Sequence, residues 1–144
     1  MLANKFLLQT RSSQKGLKMG RRVRDGTRGK KILLVEDEKV LQLLYREELA
    51  DLGFEVTTAN DGFEALRRME ESGYDLVVLD IVMPGMDGLE VLRRIKERNQ
   101  ETPVILHTSH GHYFSDPKSR AADAFIVKSS DLEELMEKVR RLLD

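Results

Sequence analysis

Cysteine does not occur in the sequence, which excludes disulfide bonds and thiolate metal centres. Long apolar runs are missing too, and none approaches the roughly 20 residues that a membrane-crossing helix needs. There is no internal repeat and no low-complexity tract. What remains is an ordinary globular composition, 40% hydrophobic over 144 residues. That length suffices for one domain with a real core and is short of two.

Charge is scarce in sum but not in place. The formal net charge of −1 conceals ten Lys or Arg and a single acid, Asp25, in residues 1–31, against 14 basic and 24 acidic side chains in the rest. The chain therefore reads as a basic tail, residues 1–30, joined to an acidic domain, residues 31–144. "RSSQKGLKMGRRVRDGTRGKK" has too little apolar surface to offset the entropy of ordering, so a mobile tail is expected. A solvated extension, a basic arm for nucleic acid or an anionic membrane, and a targeting peptide all fit its composition.

From Lys31 onward apolar strand patterns and helical patterns alternate. "KILLVED", "FEVTTA", "YDLVVLD", "PVILHTS" and "AFIVKS" read as strands. Between them, "EKVLQLLYREELADLG" carries Val40, Leu43, Leu44 and Leu49 at helical spacing and stops at Gly53. "DGFEALRRMEESG", "DGLEVLRRIKERN" and "SDLEELMEKVRRLLD" are further helices, the last with Ser130 and Glu133 spaced as a capping box. Such alternation predicts a parallel sheet covered on both faces. The expected fold is α/β, a flavodoxin-like doubly wound five-stranded sheet of order 2-1-3-4-5, whose ligands sit at the carboxyl ends of the strands.

Those ends carry the chemistry. The first strand ends in Glu36 and Asp37, the third in Asp80, the fourth in Thr108 and the fifth in Lys128. Glycine and serine amides that would cradle a nucleotide phosphate are absent after the first strand, where "VEDE" stands instead. Clustered carboxylates repel one another unless a cation intervenes, and oxygen-only ligands suit Mg²⁺, or Mn²⁺ in its place. A carboxylate beside such a cation can attack phosphorus and form an acyl phosphate. A lysine and a hydroxyl would then stabilise the phosphoryl oxygens. Asp80, Lys128 and Thr108 fit those three parts.

Together "ILLVEDE", "DLVVLDIVMPGMDG", "VILHTS" and "AFIVKSSD" resemble the receiver domain of two-component response regulators, in order and over nearly the whole of residues 31–144. The resemblance implies that Asp80 accepts a phosphoryl group from a histidine kinase or a histidine phosphotransfer protein. It implies that Glu36, Asp37, Asp80 and the backbone carbonyl of Val82 hold Mg²⁺, with Asp37 the more direct of the first two ligands. Thr108 and Phe125 resemble a switch pair that moves on phosphorylation, to be read by a downstream protein, in a cytoplasmic setting. The last helix runs to the end of the sequence, so a stand-alone receiver without a DNA-binding output unit is expected.

Two further absences separate this sequence from that pattern. The segment between Thr108 and Phe125 is short and contains Gly111 and Pro117, so the fourth helix is expected to be shortened, shifted to begin near Asp116, or irregular. Lys128 is followed by Ser129 instead of proline, which leaves open a cis bond or a trans bond that aims Lys128 elsewhere. His107, His110 and His112 crowd together in sequence but share no helical face, which argues against a metal site. His110 should border the entrance to Asp80. Val82, two residues past Asp80, offers no polar group to orient an attacking water, so a long-lived phosphoryl state is expected. The missing acid at that place also argues against an aspartate-nucleophile phosphatase. A phosphorylation-independent interaction module remains the alternative.

Overall fold

The computed structural model describes residues 29–144. The expectation of a basic, mobile tail over residues 1–30 lies outside the described residues for 1–28, whereas Gly29 and Lys30 already pair with the domain through the Gly53 carbonyl and the Glu55 N–H. The remainder follows the predicted order: β1 (Lys31–Val35), α1 (Lys39–Asp51), β2 (Glu55–Ala59), α2 (Gly62–Glu71), β3 (Leu76–Leu79), α3 (Gly88–Arg98), β4 (Val104–Thr108), β5 (Ala124–Val127) and α4 (Glu133–Leu143). Two 3-10 helices, Gly111–Ser115 and Pro117–Ala121, join β4 to β5. The five strands pair in parallel in the order β2-β1-β3-β4-β5, the flavodoxin-like arrangement expected. Among the described residues no helix is long and apolar enough to cross a membrane.

The near-continuous apolar runs of β1, β3 and β4 follow from burial on both faces. Successive side chains alternate across the sheet. Leu33, Val35, Val77, Leu79, Val104 and Leu106 pack with Ala65 of α2 and with Val91, Leu92 and Ile95 of α3. Ile32, Leu34, Leu76, Val78 and Ile105 pack on the other side with Tyr45 and Leu49 of α1 and Leu135 and Val139 of α4. Each such aliphatic side chain contributes roughly 1.5–3 kcal/mol on burial. The whole carboxyl edge of the sheet is thereby held from below.

Most helix ends are set by residues that the sequence announces. α1 stops where Gly53 adopts a positive φ of 99° and its N–H donates to the Ala50 carbonyl at 2.9 Å. Asp61 and Asp87 cap α2 and α3 by accepting from the Glu64 and Glu90 N–H groups. The capping box expected of Ser130 and Glu133 does not form. α4 begins at Glu133 itself, so that carboxylate stands too early in the helix to reach back over a first turn. Asp131 Oδ1 accepts the Glu133 N–H at 2.9 Å instead, in a turn closed by the Ser129 hydroxyl against the Asp131 backbone.

The segment between β4 and β5 is irregular, as expected. Pro117 lacks the N–H that would continue a ladder from the first 3-10 helix. Asp116 restarts the chain by accepting the Lys118 N–H at 2.9 Å, and the buried Ser119 hydroxyl donates to the Asp116 carbonyl at 2.8 Å.

Two details bear on the carboxyl edge. Gly88, at the start of α3, donates its N–H to the Ile81 carbonyl at 2.7 Å. A Cβ added there would lie 2.1 Å from the Asp80 carbonyl oxygen and 2.7 Å from the Ile81 Cα. On the opposite face His107 is buried and meets the Tyr45 ring edge-on, with centroids 4.9 Å apart. Burial, with a smaller contribution from the Lys128 ammonium, pushes the His107 pKa down to about 3.

Gly88→Ala is accordingly expected to destabilise the fold by about 1–3 kcal/mol, the usual cost of overpacking, measured by urea unfolding. His107 is neutral when folded and protonates near pH 6.5 when unfolded. Its contribution to stability is thus complete above about pH 6.5 and is lost as the pH falls toward about 3. Urea midpoints between pH 7 and pH 4 should therefore fall less steeply for His107→Phe than for the wild type.

Candidate functional site

Strand pairing carries each acidic residue to the same edge. Glu36 follows β1 and donates its N–H to the Ala59 carbonyl at 3.1 Å; Asp80 follows β3 and donates to the Val35 carbonyl at 3.1 Å. Neither side chain has freedom to leave, since the peptide that bears it is still part of the sheet. One carboxylate oxygen from each of Glu36, Asp37 and Asp80 lies within 4.8 Å of the others. Glu36 and Asp80 are buried, Asp37 half-buried.

Lys128 enters from the neighbouring edge. Its N–H donates to the Thr108 carbonyl at 2.8 Å, which continues the β4–β5 pairing one step past the strand. Its Nζ stands 2.8 Å from Glu36 Oε1 and 3.1 Å from Asp80 Oδ2. There is no cis peptide bond among the described residues, so the Lys128–Ser129 bond is trans. Lys128 is nonetheless aimed into the pocket.

Burial dominates the electrostatics. It raises the Glu36 and Asp80 carboxyls above their ordinary range, and the Lys128 ammonium only partly offsets this. A backbone N–H from Glu38 to Glu36, and one from Ile81 to Asp80, also favour the charged forms. Burial works against the Lys128 charge as well, but Glu36 and Asp80 together hold its pKa above the usual value. One ammonium among three carboxylates leaves an excess of negative charge in a dry place. The available donors are all oxygens. Such a set fits a hard divalent cation held through carboxylates and water, and Glu36, Asp37 and Asp80 are the residues that would hold it.

The other predicted residues lie on β4, on β5 and in the loops that follow β3 and β4. Thr108 ends β4, fully buried, and its Oγ1 accepts the His110 N–H at 3.1 Å. The hydroxyl proton stays available to another acceptor. Phe125 lies opposite Leu106 in the β4–β5 register, on the face that also carries Thr108, and packs edge-on against the exposed Phe114 at 5.5 Å. Val82 is exposed on the loop after β3. His110 and His112 are exposed, with ring centroids 6.0 Å apart, whereas His107 is buried against Tyr45. The histidines do not converge on a common centre.

A polar chain beside the acids escaped the sequence reading. Gln42 Nε2 donates to the Glu36 carbonyl at 2.8 Å and to Asn60 Oδ1 at 3.0 Å. Asn60 in turn donates from its N–H and Nδ2 to Glu64 Oε1 at 2.8 and 2.9 Å, which holds the Glu64 carboxyl below its ordinary range. Its only trace in sequence is a polar residue, Gln42, among the apolar positions of α1, and an Asn just before the Asp61 cap.

A family model described as the response regulator receiver domain matches residues 32–140. Among solved structures, the response regulator TrrA from Thermotoga maritima, in complex with Mg²⁺-BeF, is 47% identical, with a TM-score of 0.77 and coverage of 78% of this chain and 98% of that one. TrrA in complex with the histidine kinase ThkA is likewise 47% identical, with a TM-score of 0.76 and coverage of 80% and 99%. The transcriptional regulatory protein YkoG of Bacillus subtilis, itself uncharacterised, is 38% identical over 114 residues, 78% of this chain and 50% of that protein. The chain spans about half the length of the curated relatives it matches. With the sheet order and the acidic edge in place, these likenesses are decisive: the chain belongs to the response regulator receiver domain family.

Proposed function

We propose that residues 31–144 form a phosphoacceptor switch in which Asp80 takes a phosphoryl group from a phosphohistidine of a histidine kinase or histidine phosphotransfer protein. The observation that carries this reading is the convergence of Asp80, Glu36, Asp37 and Lys128 at one buried edge. The complex of TrrA with ThkA supports a kinase as donor, and the TrrA structure with Mg²⁺ supports that ion.

In the transfer an Asp80 carboxylate oxygen attacks phosphorus, a P–O bond forms, and the P–N bond to the donor imidazole breaks with its electron pair. Glu36, Asp37, Asp80 and the Val82 carbonyl would hold Mg²⁺, which would supply positive charge against the three carboxylates and the phosphoryl oxygens. Lys128 is poised to move its hydrogen bond from the Asp80 carboxylate to a phosphoryl oxygen, since its Nζ already lies 3.1 Å from Oδ2. The Thr108 hydroxyl donates its free proton to another. Doing so draws Thr108 toward Asp80, and Phe125, on the same face, adjusts to the vacated space. A downstream protein then reads the altered surface. Val82, two residues past Asp80, offers no polar group to orient a hydrolytic water, so the phosphoryl group is retained, with His110 a candidate modulator of its loss.

Acid-quenched mass spectrometry after incubation with acetyl phosphate tests this. A single phosphoryl mass gain is expected with Mg²⁺, absent with EDTA and absent in Asp80→Ala, and persisting well beyond seconds after the donor is removed. No gain in the wild type would leave an interaction module that works unmodified. With Mg²⁺ present, Lys128→Ala should slow labelling by about 10²-fold, the usual effect of removing one preorganised donor from a developing charge. Labelling at the wild-type rate would remove Lys128 from the transfer.

A further inference from the structure

The peptide between Glu36 and Asp37 follows the last peptide of β1 that is paired in the sheet and is held by a side chain that no strand or helix requires. Glu36 donates its N–H to β2, while its carbonyl accepts Gln42 Nε2 at 2.8 Å. Because a peptide unit is planar, fixing that carbonyl also fixes the Asp37 N–H and the direction in which the Asp37 Cα leaves the strand. Glu36 is buried and clamped by Lys128 at 2.8 Å and by the Glu38 N–H at 3.1 Å. Among the described residues Asp37 has no such clamp of its own, and it stands half-buried. Its aim therefore depends on the peptide that precedes it.

Gln42 is itself held. Its second amide hydrogen goes to Asn60 Oδ1 at 3.0 Å, and Lys39 Nζ donates to the same oxygen. The Asn60 amide cannot turn over, because its oxygen faces two donors and its Nδ2 faces only the Glu64 carboxylate. Glu64 is anchored in the first turn of α2 through Asp61 and by Arg68 at 3.2 Å. An unbroken chain thus runs from the Glu36 carbonyl through Gln42 and Asn60 to the amino terminus of α2. Gln42 and Asn60 are both half-buried, where such hydrogen bonds are less open to water.

We propose that Gln42, oriented by Asn60, is a positioning residue for Asp37 and thereby sets the affinity of the acidic edge for a divalent cation. This rests on Glu36, Asp37 and Asp80 being the cation site. Groups that orient metal ligands without touching the metal commonly change affinity by about 10–100-fold when removed. Gln42→Met keeps the length of the side chain and its helical preference and removes the amide, and with it both donors. Asn60→Ser releases Gln42 from the other end without touching the Glu36 carbonyl.

The test is a ¹H–¹⁵N NMR titration of the unphosphorylated protein with MgCl₂, following the Asp80 and Ile81 amides, with urea stability measured in EDTA on the same samples. Gln42→Met is expected to raise the Mg²⁺ Kd about tenfold at the lower end of that range, with the metal-free urea midpoint close to wild type. Asn60→Ser is expected to raise Kd by a smaller factor, and the double variant by no more than Gln42→Met alone, because both act through one hydrogen bond. Should Gln42→Met fail to fold, the Kd of Asn60→Ser decides. A saturable wild-type response abolished by Asp37→Asn but unchanged in Gln42→Met would overturn the positioning role and leave the cation site standing. Saturation absent from the wild type itself would overturn both. A lowered urea midpoint at wild-type Kd would make Gln42 merely a structural tie.

Discussion

The arrangement turns on one ammonium group placed between two buried carboxylates. Taking ions out of water costs several kcal/mol for each, and the cost is recovered only with close geometry and further hydrogen bonds. Lys128 meets Glu36 at 2.8 Å and Asp80 at 3.1 Å, while the Glu38 and Ile81 N–H groups add a backbone hydrogen bond to each carboxylate. Even so the two carboxyls stay above their ordinary range. The charges are paired but not balanced, which is the condition for admitting a further cation. A site fully neutralised by its own side chains would have no reason to do so.

That imbalance can be held only by a rigid frame. β1 and β3 are central, buried on both faces, and their pairing continues one residue past each strand into Glu36 and Asp80. Gly88 then lets the start of α3 touch the Asp80 backbone, closer than any side chain would allow. Repulsion among the acids therefore works against the sheet itself and cannot relax by swinging a loop. The Gln42–Asn60 chain extends the same logic to Asp37, the one acid that stands outside the strand pairing.

Much of this was legible because it is local or periodic. The alternation of β-branched and aliphatic runs with amphipathic stretches specified the sheet and its order, and position at a strand's carboxyl end singled out Glu36, Asp37, Asp80, Thr108 and Lys128. Other features depend on contacts between residues far apart in the chain. Gln42 and Asn60 are 18 positions apart and carry no signature until β1 and β2 are paired. The Ser130 box failed for a subtler reason. Ser129 and Asp131 form a tighter turn that delays the helix to Glu133, and spacing alone does not rank two competing caps. The trans bond after Lys128 shows that the lysine can reach both acids without the proline typical of the family.

The two sides of the pocket differ in how firmly they are tied, and this gives the proposed switch a direction. On the β1–β2–β3 side Glu36 and Asp80 are fixed by strand pairing, and Val35, Leu79 and Ile81 beside them are buried. On the β4–β5 side the edge strand spans only Ala124–Val127, and the connection before it consists of two 3-10 helices whose one buried residue is Ser119. Thr108 belongs to both sides, since it ends the buried strand β4 while its Oγ1 accepts from His110, just before the first 3-10 helix. In the proposed switch a phosphoryl group on Asp80 would pull on Thr108 against a stiff frame on one side and a loosely packed segment on the other. Strain is released where fewest contacts oppose it. In the proposed switch the response would therefore travel through His110 toward Phe114 and Phe125, and the frame that holds the acids would keep its geometry.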